Sequence, residues 1–141
     1  MAGAAIQTEP LIAFALSSTP ESAGMARCHV RAALEYHGLG DYASDAEIVT
    51  SELVTNALQH AGMDSTQTIA VTLMHIRSPD AVAVVVADSS PHPPVRRETT
   101  AGSEGGRGLQ VIEALSVHWG WNPDDTGKEV FAVLAREEQP S

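Results

Sequence analysis

Glu52, Asn56 and His60 recur every fourth residue in the run Ser51-Glu-Leu-Val-Thr-Asn-Ala-Leu-Gln-His60. On a helix these three positions drift by only about 80° in total, so their side chains form one polar stripe. A carboxylate, a carboxamide oxygen and an imidazole then face the same cavity. Farther on, Gly105-Gly-Arg-Gly108 runs straight into an apolar pattern of helical spacing. Backbone N–H groups at such a helix start suit phosphate oxygens, and hard oxygen donors suit magnesium. The combination implies a magnesium-nucleotide site. Each piece alone is ordinary. Most Glu and Asn residues on amphipathic helices are solvated, glycine clusters often only make turns, and a histidine near a helix end usually packs or caps. Their order along the chain is what singles them out.

The elements that must position these residues are legible from periodicity. Leu11-Ile-Ala-Phe-Ala-Leu16 is a short apolar run that fits a first strand, although a buried helical turn has the same signature. Ser18-Thr-Pro-Glu21 reads as a helix start and His37-Gly-Leu-Gly40 as its end, predicting a helix over 20–36 with Ala26, Val30, Ala33 and Leu34 on one face. Ser44-Asp-Ala-Glu47 is a second capping box, opening the helix that carries the polar stripe. Val49, Leu53 and Ala57 form its core stripe, and Ala61-Gly62 closes it.

Residues 68–77 and 81–88 then read as a hairpin turning through Ser78-Pro-Asp80. The second strand is apolar enough to be central in a sheet and ends at Asp88, where such proteins place ligands. Residues 89–104 carry Pro91, Pro93, Pro94 and Gly102, and a structureless stretch of that length is often a lid. Leu109, Val111, Ile112 and Leu115 have helical spacing. Residues 117–121 and 130–135 predict a closing hairpin around Asn122-Pro-Asp-Asp-Thr-Gly127. This order predicts an α/β (α+β) sandwich, a mixed and mainly antiparallel sheet with helices on one face. It lacks the regular strand–helix alternation of a doubly wound dinucleotide fold.

The chain has 141 residues, enough for one domain with one core. Eight basic and 18 acidic residues give a net charge of −10, which disfavours direct nucleic-acid binding. Arg96, Arg97 and Arg107 fall near the proposed phosphate loop, where they would offset that field. No apolar run is long enough for a membrane span and residues 1–10 show no secretory signal, so the expected location is cytoplasmic. A single cysteine, Cys28, suggests a packing residue with no internal disulfide or structural zinc.

The sequence Glu-x3-Asn-x3-His-Ala, an apolar strand ending in Asp, a lid and a glycine-led helix resembles the Bergerat-type (GHKL) ATPases, among them gyrase, histidine kinases and mismatch-repair ATPases. Within them, Ser-Glu-Leu-Val-Thr-Asn-Ala-Leu-Gln-His-Ala and Gly-Gly-Arg-Gly-Leu-Gln-Val-Ile-Glu-Ala-Leu look like the anti-sigma-factor serine/threonine kinases of the RsbW type. The likeness covers about residues 10–136 of a domain expected over 1–141, with an ATP lid at about 89–105. No phosphoacceptor-histidine helix is seen ahead of it, which argues against a complete histidine kinase.

The resemblance implies ATP and Mg²⁺ as cofactors, with Asn56 giving its oxygen to the metal and Glu52 acting as catalytic base toward an attacking hydroxyl. It implies that Asp88 accepts from the adenine amino group, that Ser90 lets the base approach, and that Gly105, Gly106, Arg107, Gly108 and Leu109 hold the phosphates. The family's Asp-x-Gly-x-Gly box reads Asp88-Ser-Ser-Pro-His92 here, and its closing Gly-Thr-Thr-Val or Gly-Lys-Thr-Val reads Gly127-Lys-Glu-Val130. Glu129 is thereby expected where a threonine would help bind adenine through water. Implied partners are a sigma factor, a STAS-type anti-anti-sigma antagonist and a second copy of the chain, in the regulation of transcription. The rival reading is a catalytically degenerate ATP-binding or purely protein-binding module.

Overall fold

The structure, a computed structural model, describes residues 7–61, 67–77, 80–90 and 108–136. Strands β1 (Thr8–Ser17), β2 (Thr68–Arg77), β3 (Asp80–Asp88), β4 (His118–Asp124) and β5 (Gly127–Ala135) form one sheet in the order β1-β2-β3-β5-β4. All four pairings are antiparallel, so the described sheet has none of the parallel component that a mixed sheet allows. Helices α1 (Ser22–Tyr36), α2 (Ala43–Ala61) and α3 (Gly108–Leu115) complete the fold.

Register decides which residues meet the helices. Val84 pairs with Leu73 on one side and Ala132 on the other, and side chains directly opposite share a face. That face carries Val71, Leu73, Val82, Val84, Val86, Val130, Ala132 and Leu134, all in one buried cluster with Ala26, Val30, Leu34, Val49, Leu53, Ala57, Leu109 and Ile112. β3 lies in the middle of the sheet, as its continuous Ala/Val run predicts. Small residues on its other side, Ala81 and Ala83, are buried as well.

Local signals fixed helix ends only where tertiary contacts agreed. α1 closes as its sequence predicts: Gly38 has φ +73°, its N–H bonds Glu35 O, and Leu39 N–H bonds Leu34 O at 2.8 Å. Its start falls two residues late. The Ser22 hydroxyl donates back to Ser17 O and lies 3.1 Å from Thr19 Oγ1, tying the end of β1 to the helix, while Glu21 at the cap makes no side-chain capping bond.

The box at Ser44 is also bypassed. A 3-10 turn at Gly40–Tyr42 runs directly into α2 at Ala43, leaving Ser44 inside the first turn. Tyr42 explains this, because its buried ring anchors the turn and its hydroxyl donates to Asp80 O at 3.1 Å. Burial pushes the phenol pKa up, and the neighbouring Asp80 carboxylate pushes in the same direction.

The closing hairpin is tighter than its sequence predicts. β4 continues to Asp124 and β5 begins at Gly127. The Asp124 carboxylate accepts from Thr126 N at 2.8 Å and Thr126 Oγ1 at 2.9 Å, making the turn in two residues. The Thr126 backbone N–H holds the Asp124 carboxyl below its ordinary pKa. Pro123 is tolerated because β4 is an edge strand. The consequence is that Lys128 belongs to β5 and sits in register with Asp88.

Among the described residues no helix is long and apolar enough to cross a membrane. Leu53, 2% exposed at the junction of α2 with the sheet, tests the packing. Leu53→Ala should lower unfolding free energy by about 2–5 kcal/mol in urea titrations, and a loss below about 1 kcal/mol would contradict its placement.

Candidate functional site

Asp88 is the last residue of β3, and its carboxylate is almost wholly enclosed, with 4% of the side chain exposed. Oδ1 accepts from Ser90 N at 2.8 Å and from Lys128 Nζ at 3.0 Å. Nζ also lies 3.0 Å from Oδ2, but that contact lacks hydrogen-bond alignment, so it is ionic only. Oδ2 is therefore buried without a hydrogen-bond donor. Lys128 is fully buried and further donates to Ser90 O at 3.4 Å. Two charges out of water are tolerable only when each has close, satisfied partners.

Gly127 makes this approach possible. With φ +157° it passes so close to β3 that a side-chain carbon there would stand 2.0 Å from Asp88 O and 2.7 Å from Ser89 Cα. The turn glycine of the sequence is thus also a close-approach glycine at the base of the site.

α2 brings the polar stripe toward the same end. It starts beside Asp80 through Tyr42, packs on β3, and its 19 residues extend about 28 Å back along the sheet. The chain that leaves it reaches Gln67, whose Oε1 accepts from Ser89 Oγ at 2.8 Å and whose carbonyl accepts from Ser18 N. Glu52 and Asn56 are half-buried on this helix. Asn56 Oδ1 is enclosed and has no hydrogen-bond partner.

Ser18, Thr50 and Ser116 also have buried, unpartnered hydroxyl oxygens. A hydroxyl can rotate toward whatever is near, whereas a carboxamide or carboxylate oxygen can only accept, so the oxygens of Asn56 and Asp88 are the more demanding vacancies. Those two are also the oxygens that the sequence pattern nominated.

Gly105, Gly106 and Arg107 lie outside the described residues, as do Arg96, Arg97 and most of the expected lid. Gly108 opens α3, and Leu109 is buried against the core, so its side chain anchors the helix while only its backbone remains for a ligand. His60 lies in the last turn of α2. Ser90 is buried, and its backbone closes the turn over the Asp88 carboxylate.

Glu129 requires a correction. It pairs with Ala87 and Asn122, is exposed, and lies on the sheet face away from the helices. The inward position beside Asp88 belongs to Lys128. The signal was present in the sequence: counting back in twos from Leu134, Ala132 and Val130 gives 128. A lysine there reads as exposed by default, which is why it was missed.

The fold is an α/β sandwich in which an enclosed acid ends the central strand and an acid and amide stripe runs along a helix packed on that strand. The chain belongs to the histidine kinase-like ATPase domain family, whose model matches residues 16–134. Membership implies ATP binding and kinase-like or ATPase chemistry.

A solved structure of the RsbU and RsbW domains of Rv1364c from Mycobacterium tuberculosis has the same fold, with a TM-score of 0.61 and 20% identity. The match covers 90% of this chain and 32% of that one, so the chain spans about a third of its neighbour's length. No curated protein matches the sequence.

Removing one buried charge should be worse than removing both. Lys128→Met is expected to destabilise by about 3–5 kcal/mol in denaturant titrations. Combining it with Asp88→Asn, whose amide can still accept from Ser90 N–H, should recover at least about 1 kcal/mol. Strict additivity would contradict the pair. Gly127→Ala should lose more than about 2 kcal/mol, because either β3 or β5 must move.

Proposed function

We propose that the chain is an ATP-binding regulatory serine/threonine protein kinase of the anti-sigma-factor type. In this reading it sequesters a sigma factor and phosphorylates a STAS-type antagonist. The observation that carries the nucleotide site is the pair of enclosed oxygens that accept no hydrogen bond, Asp88 Oδ2 and Asn56 Oδ1. An exocyclic amino group supplies the donor that Oδ2 lacks. A divalent cation supplies the charge that Asn56 Oδ1 can meet.

No group of three or more His, Cys, Asp or Glu side chains suited to a metal occurs among the described residues. Mg²⁺ suits such a sparse donor set, since it keeps several waters and takes few protein oxygens. When bound, it would neutralise phosphate charge. Glu52, one turn before Asn56 on the same stripe, would orient the attacking hydroxyl and accept its proton. The start of α3 at Gly108 would give backbone N–H groups to phosphate.

A protein partner is supported by the sheet's open face. Register puts Met74, Ile76, Val85, Phe131 and Val133 there, half-buried and without a covering helix among the described residues. A homodimer would use such a face, and light scattering would read it. The second reading, a binding module without phosphoryl transfer, is favoured by the Lys128 ammonium already engaging Asp88.

Transfer of labelled phosphate from ATP to a purified antagonist tests the kinase. Glu52→Ala should slow transfer about 10²-fold or more while leaving ATP affinity within a few fold. Asn56→Ala should abolish the dependence of ATP affinity on Mg²⁺. Unaltered transfer in the first variant would overturn the base role of Glu52, and no transfer by the wild type would leave only the binding-module reading.

A further inference from the structure

We propose that the outer edge of β4 is a strand-addition site. It takes an extended segment of a partner protein, with apolar side chains at alternate positions and basic residues at the end that meets Asp124 and Asp125. The site is separate from the nucleotide site proposed above and does not rest on it.

β4 closes one rim of the sheet, and among the described residues nothing pairs with its outer edge. A free edge offers a row of unpaired N–H and C=O groups to any extended chain, and proteins blunt such edges with charge, proline or a bulge. β1, the opposite rim, has all three guards near its start: Glu9 paired to Arg77, Pro10, and a register shift between Pro10 and Ile12. Residues 118–122 of β4 have none of them, and Pro123 and Asp124 come only at the hairpin end.

The two faces of that edge differ. Trp119 and Trp121, the chain's two tryptophans, pair with Ala132 and Val130 and so share the helix-side face with the core. Trp119 packs partly against the core, Trp121 is 36% exposed, and Val117, just before the strand, is 68% exposed. On the opposite face Gly120 lies against the Phe131 ring, while His118 and Asn122 are polar and exposed. A strand laid along β4 therefore meets aromatic surface with one set of alternate side chains and polar groups with the other. Tryptophans covered in this way are the side chains that carry most binding energy.

Charge sets which end is which. Asp124 and Asp125 are exposed at the turn beyond Pro123, and neither β4 nor α3 has a Lys or Arg. With a net charge of −10 behind them, a basic end on the incoming strand is attracted and an acidic one repelled. A second copy of the chain would bring the same negative charge to the edge, so the charges favour a basic partner.

Fluorescence anisotropy of the full chain with a labelled nonapeptide, alternating valine and threonine and ending in two lysines, tests the site. Wild type should bind it with a Kd below about 100 µM, and about 10-fold or more tighter than the same peptide ending in two glutamates. Trp121→Ala should weaken binding about 10-fold or more. Methylating one alternate set of peptide amides should abolish binding while methylating the other leaves it within a few fold, since only one set faces β4. That arm uses wild type alone and stands even if the variant does not fold. No binding by wild type, equal binding of the two charged peptides, or equal loss from either methylated set would overturn the proposal. So would light scattering that shows a dimer lost in Trp121→Ala, which would assign the edge to a second copy.

Discussion

An ammonium and a carboxylate enclosed 3.0 Å apart, one from each of two adjacent strands, set the terms for the rest of this fold. A buried pair has lost its water, and only close mutual contact and added hydrogen bonds offset that loss. The β3–β5 register must therefore place residue 128 opposite residue 88. A slip by one residue would turn Lys128 outward and bring Glu129 inward beside Asp88, setting two carboxylates together in a dry place. The two-residue turn at Asp125 and Thr126 and the bare backbone of Gly127 both serve that register. The same alternation sends Val130, Ala132 and Leu134 into the core, so electrostatic and hydrophobic requirements select one alignment.

α2 meets two demands at once. Val49, Leu53 and Ala57 lock it to the sheet, and they are essentially inaccessible to water. Glu52 and Asn56, turned partly aside from that stripe, are held by a scaffold that cannot rotate without exposing it. This is the arrangement a site needs when its polar atoms are few. At the far end, Tyr42 and Arg136 close the helix start onto Asp80, with Arg136 over the Tyr42 ring at 5.2 Å and its Nε 3.4 Å from Asp80 Oδ2. Both ends of β3 are thus fixed by a carboxylate, Asp80 partly exposed and Asp88 enclosed.

Element types were legible because hydrophobic period survives in each segment. The faces of α1 and α2, the hairpin of β2 with β3 and the central place of β3 follow from Ala26, Val30, Val49, Leu53 and the Ala/Val run before Asp88. Element ends were less legible. Ser44 has the form of a cap, yet Tyr42 bonding to Asp80 extends the helix past it, and no local pattern contains that long-range bond. The site was half legible. Asn56 and Asp88 could be nominated from spacing, whereas Lys128 was hidden by the sound expectation that lysines stay wet. Glu129 was misplaced by matching a motif position without counting strand alternation.

Enclosed acceptors without donors are where a sequence gives up stability for something else. Each such oxygen carries a penalty of about 1–3 kcal/mol against a satisfied one. A core built only for stability would put an aliphatic side chain at either position. Asn56 Oδ1 keeps that penalty, and Asp88 Oδ2 offsets only part of it through its ionic contact with Lys128, the pattern expected where a ligand completes the hydrogen bonding. The acidic field of the whole chain sharpens the argument, since a net charge of −10 works against any polyphosphate. Attraction must come from short-range, directional groups. In the proposed site, a metal held by one amide and phosphate held at a helix start would be short-range in this sense and would lose little to the long-range repulsion.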